Sequence, residues 1–459
     1  MIQRLAILGA TGDLTARYLL PGLAALRAAG KLGDDFRLVA VGRENWSEDV
    51  FRSWAAAQLD RHAAELPTTA KQAVVTTSRY HQADVTDPAS MAAVVAGREP
   101  LAAYLALPPS VFPGAVSALH RAGANPPSII VLEKPFGEDL ASAQALNQLL
   151  HEAFPERAVF RVDHFLGMQT VQNILGLRFA NRLFEPLWNS HHIDRVEIIW
   201  DEMLALEGRA SYYDSAGALR DMLQNHLLQL LCLVGMEAPP TLSDQDLKNR
   251  KVDLLRAVRR YRPEEVERHT VRARYGAGRI GGRNIPAYVD EPGVAPVRGA
   301  ETFAQVTMLI DNWRWAGVPF VLRSGKALRR ERNEIAVHFK PVPHLAFGQQ
   351  EEPWPNVLRV QFDPDRITLG MNLNAPGDPF NLEHMQLETT LAPQDLPAYG
   401  RVLLDVLRGD VSLSIRDDEA EESWRIVEPI LDTWAQGRVP LLEYPAGSDG
   451  PTTGAQPPG

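Results

Sequence analysis

A chain of 459 residues is long enough for two or three domains, each with its own core. Its 45% hydrophobic and 23% charged content is that of a globular protein, and a net charge of −10 without a basic cluster argues against a nucleic-acid partner. No apolar run approaches the roughly 20 residues of a membrane-crossing helix, and the single cysteine, Cys232 in LLQLLCLVGM, excludes an internal disulfide.

The opening run LAILGA follows Met1 with no basic segment or small-residue cleavage site, so no secretory signal is expected and the setting reads as cytoplasmic. Leu5–Leu8 reads as a buried strand, followed by a glycine turn and a long helix from Leu14 to Ala29. Arg37–Val41, Leu101–Ala106 and Ser128–Leu132 are further strands separated by amphipathic segments, the pattern of a parallel, doubly wound α/β sheet over residues 1–160. A helix-rich stretch runs to about residue 180. Beyond it Val196–Trp200, Phe303–Ile310, Glu334–Phe339, Leu358–Phe362 and Ile367–Met371 read as strands with few helices between them. A large α+β domain with a mainly antiparallel sheet is therefore expected over residues 161–444. The Pro-, Gly- and Thr-rich residues 445–459 are expected to form a disordered tail.

The first turn reads AILGATGDL. Gly9 and Gly12 let backbone approach a pyrophosphate, and Thr11, Asp13 and Leu14 open the helix whose N-terminus favours anions. The second strand ends in VGREN, where the adenosine ribose of a dinucleotide lies. Arg43 there suits the 2′-phosphate of NADP, whereas Glu44 suits the free 2′-hydroxyl of NAD. NADP is the expected cofactor, with NAD as the alternative.

Three further blocks carry chemistry. In EKPFG, directly after a strand, Lys134 points to the crevice at the strand's C-terminal end. From Leu219 a strongly apolar helix carries Asp221, Met222, Asn225, His226 and Gln229 within a strip of about 140° at α-helical spacing. A helix so apolar is buried, so the polar strip must face partners or a cavity. The third block is IDNWRWAGVPFVLRSGKAL, with Lys326 near a strand end. Asp163 and His164 lie together in RVDHFLGMQTVQN. His191-His192 has no partner at ligand spacing, so no metal site is expected.

Together with GATGDLTARYLLPGL, RFANRLFEPLWN, EGRASYYDSAGALRDMLQNHLLQLL, HFKPVPH, LLDVLRGD and YPAGSDGP, these blocks make the chain resemble the glucose-6-phosphate dehydrogenase family over nearly its whole length. The resemblance implies a Rossmann-type domain, a large mainly antiparallel sheet domain, and a homodimer or dimer of dimers built through that sheet. It implies oxidation of a pyranose C1 hydroxyl to the 1,5-lactone with hydride transfer to nicotinamide. By residue, it implies that His226 is the general base and Asp163 the carboxylate that orients it. Lys134, Glu202, Asp221 and Lys326 would surround the sugar hydroxyls, Leu107 and Pro108 in LALPP would line the cofactor together with Lys134, and Pro135 would follow a cis peptide bond.

Departures gather at the far end of the sugar. His164 and residue 168 would share one helix face against the 6-phosphate, but the family's lysine there is Met168 and its tyrosine is Phe165. A second phosphate-binding lysine position holds Glu331, beside Arg330, and Tyr18 replaces a lysine of the family's KRKL segment. Each charge-assisted hydrogen bond to phosphate contributes about 1.5–3 kcal/mol, so losing two weakens a phosphorylated sugar roughly a hundredfold or more. These substitutions favour an unphosphorylated or 6-substituted sugar, such as a 6-amino sugar. The competing expectations are glucose-6-phosphate dehydrogenase itself and a non-catalytic cofactor-binding homologue.

Overall fold

The structure is a computed structural model of the chain, and residues 1–97, 99–347, 353–377 and 381–452 are described. The chain forms two compact units. The first contains Met1–Gln172, Pro239–Arg250 and Gln394–Glu421; the second contains Asn173–Ala238, Lys251–Pro393 and the chain from Glu422 onward. The expected single cut at residue 160 is thus corrected. Strand Val159–Val162 is still the edge of the first sheet, and helix Ala398–Arg408 returns to that unit because its apolar face (Leu403, Leu404, Leu407) joins the first unit's core.

The first unit is built on six parallel strands, β1 (Arg4–Leu8), β2 (Arg37–Gly42), β3 (Ser78–Gln82), β4 (Leu101–Leu105), β5 (Ile129–Glu133) and β6 (Val159–Val162), in the order β3-β2-β1-β4-β5-β6. This is the doubly wound order expected, with its switch point between β1 and β4. The inner strands are continuous apolar runs because both faces are covered: Leu5, Ile7, Leu38, Ala40, Tyr104 and Val131 pack with Leu19 and Leu23. The helix expected from Leu14 to Ala29 has two windings. A widened π turn spans Thr15–Leu19, where the Leu20 N–H reaches the Thr15 carbonyl, and α-helix follows over Leu20–Ala28.

The second unit's large sheet has nine strands: β7 (Ile193–Asp201), β8 (Thr270–Gly276), then, after the small hairpin of β9 (Gly278–Ile280) and β10 (Arg283–Ile285), β11 (Phe303–Met308), β12 (Phe320–Gly325), β13 (Arg332–Phe339), β14 (Val357–Gln361), β15 (Arg366–Asn374), β16 (Leu382–Thr390) and β17 (Leu441–Pro445). Their order is β16-β15-β14-β13-β7-β12-β11-β8-β17, and six of the eight pairings are antiparallel. The exceptions are β7 with β12 and β8 with β17.

The expected tail does not begin at 445. Pro445 ends strand β17, Ala446 is buried, and the N–H of Gly447 donates to the Ala327 carbonyl at 2.8 Å. A Pro- and Gly-rich composition marks turns here rather than disorder; residues 453–459 lie outside the described residues.

Candidate active site

In the first unit the turn after β1 lies at the sheet's switch point. Gly9 has φ +88°, and a Cβ there would lie 2.2 Å from the Ala106 carbonyl oxygen and 3.2 Å from Leu107 Cδ2. Only glycine fits, so the turn after β1 and the LALPP segment after β4 close against each other. Its shape is held by Gly9 and Ala10 N–H groups, both donating to Val41 O at 2.9 Å, and by Gly12 N–H on Gly9 O at 3.0 Å. Asp13 pairs with Arg17 at 2.7 Å, and Leu14 leads into the widened turn. A glycine turn before a helix N-terminus is what the pyrophosphate of NAD(P) requires, so these residues fit the cofactor. Pro108 is exposed beside it.

The β2 end separates the two residues weighed for cofactor choice. Arg43 is exposed. Glu44 turns toward the glycine turn, where its Oε2 accepts the Thr11 hydroxyl at 3.0 Å and its carbonyl accepts the Tyr80 hydroxyl at 2.8 Å. Burial, with the neighbouring Glu44 carboxylate, pushes the Tyr80 phenol up to about 12.

At the end of β5, Glu133 accepts the hydroxyl of Tyr104 and also that of Tyr399. Burial pushes its carboxyl up to about 7, against the pull of these donors and of Lys134. Lys134 follows, and the Lys134–Pro135 bond is cis. At the end of β6, Asp163 is buried, and its Oδ1 accepts the Phe165 N–H at 2.9 Å, capping the 3₁₀ turn His164–Gly167. One expectation is corrected here. His164 and Met168 do not share an α-helical face, because the 3₁₀ turn stops at Met168, which is extended (φ −77°, ψ 132°), and the α-helix begins anew at Gln169.

In the second unit, the parallel pairing of β7 with β12 sets Asp201 opposite Gly325, so the next residue of each strand, Glu202 and Lys326, emerges on the same rim. Their side chains form an ion pair. Lys326 Nζ also lies 5.2 Å from the centroid of the Tyr213 ring, and its carbonyl accepts the Tyr444 hydroxyl at 2.6 Å. Asp201 beside them is pushed by burial to about 6.

The apolar helix from Leu219 is wound as a π-helix over Leu219–Leu227 and as an α-helix over Leu228–Gly235. In an α-helix Asp221 and His226 would point about 140° apart; the wider i→i+5 winding narrows that angle. Both are buried, as are Met222, Asn225 and Gln229. The Tyr212 hydroxyl donates to Asp221 Oδ1 at 3.1 Å. The helix starts where Gly217 breaks the chain at φ +67°, and the Leu219 N–H donates to the buried carboxylate of Glu301 at 3.0 Å. Arg330 and Glu331 are both exposed, between β12 and β13, on an open hollow that Arg332, Arg359 and Arg366 also line. Arg332 and Arg359 are tied to Glu334, whereas Arg330 makes no ion pair among the described residues.

Within the second unit, then, the structure brings Glu202 to Lys326 and buries Asp221 and His226 on one π-wound helix. In the first it brings the glycine turn to Leu107 and sets Lys134, Asp163 and His164 at neighbouring strand ends. Tyr104, Tyr399, Glu133, Tyr212 and Glu301 were missed. Tyr212 lies inside a block already singled out; Tyr399 looks like one more apolar position of an amphipathic helix. The first unit also gathers His151, Glu156 and Asp417, with His151 Nε2 2.8 Å from Asp417, but buried Arg161 already supplies Glu156 with a cation at 2.7 Å.

Comparison with known proteins agrees with this geometry. Residues 6–173 match the family model described as glucose-6-phosphate dehydrogenase, NAD binding domain, and residues 175–456 match its C-terminal domain. A glucose-6-phosphate 1-dehydrogenase of Zymomonas mobilis is 41% identical over 98% of this chain and 96% of its own length. One of Bacillus subtilis is 38% identical over 97% of this chain and 94% of its own. The crystal structure of glucose-6-phosphate 1-dehydrogenase from Mycobacterium avium superposes with a TM-score of 0.87 at 32% identity, covering 98% of this chain and 95% of that one.

Proposed function

Since the chain belongs to the glucose-6-phosphate dehydrogenase family and is an NAD(P)-dependent sugar 1-dehydrogenase, we propose that its substrate is glucose 6-phosphate, oxidised at C1 to the 1,5-lactone. The observation that carries this is the buried polar strip of the π-wound helix, Asp221 through His226, on a helix packed against β12, whose end presents Lys326 beside Glu202. A buried imidazole in such company is suited to proton transfer near neutral pH.

NADP, when bound, supplies the hydride acceptor. The glycine turn Gly9–Leu14 and the segment Leu107–Pro108 hold it, and Arg43 is the candidate for its 2′-phosphate. His226 takes the proton of the C1 hydroxyl as the C1 hydrogen leaves with its electron pair, and the remaining pair closes the C1 carbonyl. The family resemblance gives Asp163 the role of the carboxylate that stabilises the cationic base. Lys134, Glu202, Asp221 and Lys326 hold the sugar hydroxyls; the Glu202 carboxylate pairs with the Lys326 ammonium and fixes its position. Arg330, with no competing ion pair among the described residues, is the second unit's candidate for the phosphate, and the family resemblance gives that role in the first unit to His164. A cytoplasmic location suits a chain whose one cysteine is buried and reduced. A homodimer through the large sheet is supported by Met385 and Leu387, exposed on the edge strand β16, and by Leu373, exposed on its neighbour β15.

A second reading, a sugar without a 6-phosphate or with an amino group there, is favoured by Met168 and by the exposed carboxylate of Glu331. Steady-state NADPH formation from glucose 6-phosphate, glucose and 6-amino-6-deoxyglucose separates the two. The proposal expects kcat/KM for glucose 6-phosphate to exceed the others at least about a hundredfold, the worth of two charge-assisted bonds; equal or reversed values would establish the second reading.

A further inference from the structure

We propose that Tyr399 is a positioning residue for sugar recognition: its ring, stacked on both His164 and Tyr18, fixes the imidazole in the orientation that meets the far end of the sugar. This rests on the reading of His164 as a sugar-facing residue and adds to it what holds that residue still.

An imidazole at the start of a short 3₁₀ turn has a soft outer torsion and needs a partner to define its plane. Tyr399 supplies one. The two rings are nearly parallel, 15° apart in plane with centroids 5.4 Å apart. Tyr18 stacks on the same phenol at 5.1 Å and 29°. On its edge, Phe165 meets His164 at 5.1 Å and 82°. Tyr399 is itself pinned at its other end, since its hydroxyl is bonded to Glu133, which also holds Tyr104. The phenol is thus held by its hydroxyl and by its ring faces, and it is only 8% exposed.

The backbone enforces the arrangement. Helix Ala398–Arg408 lies so close to the turn His164–Gly167 that a Cβ on Gly167 would be 2.7 Å from the Ala398 carbonyl oxygen. The same helix buries Leu403 and Leu407 in one core with Leu19 and Leu23. Tyr399, at its first turn, therefore stands where both segments converge. Tyr18 sits in the widened turn Thr15–Leu19 and is 47% exposed, so core packing does not account for its place. With Met168 in place of a cation, the phosphate end depends on where His164 points.

The test uses the full-length protein with glucose 6-phosphate and NADP, and compares Tyr399→Phe, Tyr399→Leu, Tyr18→Ala and His164→Ala, with folding followed by circular dichroism. Aromatic stacking of ordinary strength predicts that Tyr399→Leu and Tyr18→Ala raise KM for the sugar about three- to tenfold while kcat changes little. Tyr399→Phe keeps the stack and loses only the hydroxyl's tie to Glu133, so its KM should stay closer to the parent's than that of Tyr399→Leu. If Tyr399→Leu does not fold, half-exposed Tyr18→Ala decides. A raised KM in His164→Ala with unchanged KM in Tyr18→Ala and Tyr399→Leu overturns the positioning role alone. An unchanged KM in His164→Ala overturns the reading beneath it.

Discussion

Arg330 and Glu331 stand side by side with opposite charge at the rim of the second unit, and the account gives them opposite effects. With Arg330 as the proposed phosphate donor, Arg330→Ala should raise KM for glucose 6-phosphate about tenfold or more. Glu331→Lys removes a repulsive carboxylate and should lower it. Measured KM values moving together, or neither moving, would remove both residues from the site. Glu133 makes a pH prediction. Its carboxyl is raised from 4.5 to about 7 by burial, so the folded state disfavours its charge. Stability from the neutral form is fully present below about pH 4.5 and is lost as pH rises through about 7. Glu133→Gln stays neutral and should gain thermal stability relative to the parent between pH 5 and 8, by at most roughly 3 kcal/mol. A melting difference independent of pH would show that Glu133 does not titrate there. Asp201, raised to about 6, is present in both proteins and cancels.

At the scale of elements, the π-wound helix Leu219–Leu227 is the part on which the site depends most. Gly217 adopts φ 67° and ψ 173°, a conformation nearly confined to glycine, and a Cβ there would meet Glu301 Oε1 at 2.4 Å. Gly217→Ala should cost at least about 2 kcal/mol, read as a lowered melting temperature, and reduce kcat because Glu301 anchors the Leu219 N–H. A variant as stable and active as the parent would mean that this break does not set the helix. The helix itself was legible from its leucines and from the Asp221–His226 strip. Its winding was not, because leucines around most of its circumference fit α and π coils equally well. Strands β13 and β14 showed plainly in their burial pattern, whereas β16 was missed because it is exposed on both faces and so lacks alternation. Residues 445–452 looked like a tail because glycine and proline mark both turns and disorder; only the Tyr444 hydroxyl on the Lys326 carbonyl and the buried Ala446 distinguish them.

For the whole molecule, the doubly wound sheet and the large mixed sheet were legible from strand spacing, but the return of Ala398–Arg408 to the first unit was not, since chain order carries no sign of it. The site residues split in the same way. His226, Asp221 and the glycine turn declare themselves by residue type and spacing, while Tyr399 acts only through what it touches. The family resemblance named the chemistry, and the departures at Met168 and Glu331 raised the question of substrate. Both meet in one measurement. Glucose 6-phosphate carrying deuterium at C1 is incubated with the enzyme and NADP, and the nicotinamide is read by NMR. The account predicts deuterium at C4 of the reduced cofactor with the sugar recovered as its lactone or the hydrolysed acid. Deuterium retained on the sugar with no cofactor reduced, while C1-deuterated glucose without the phosphate does transfer its label, would contradict it.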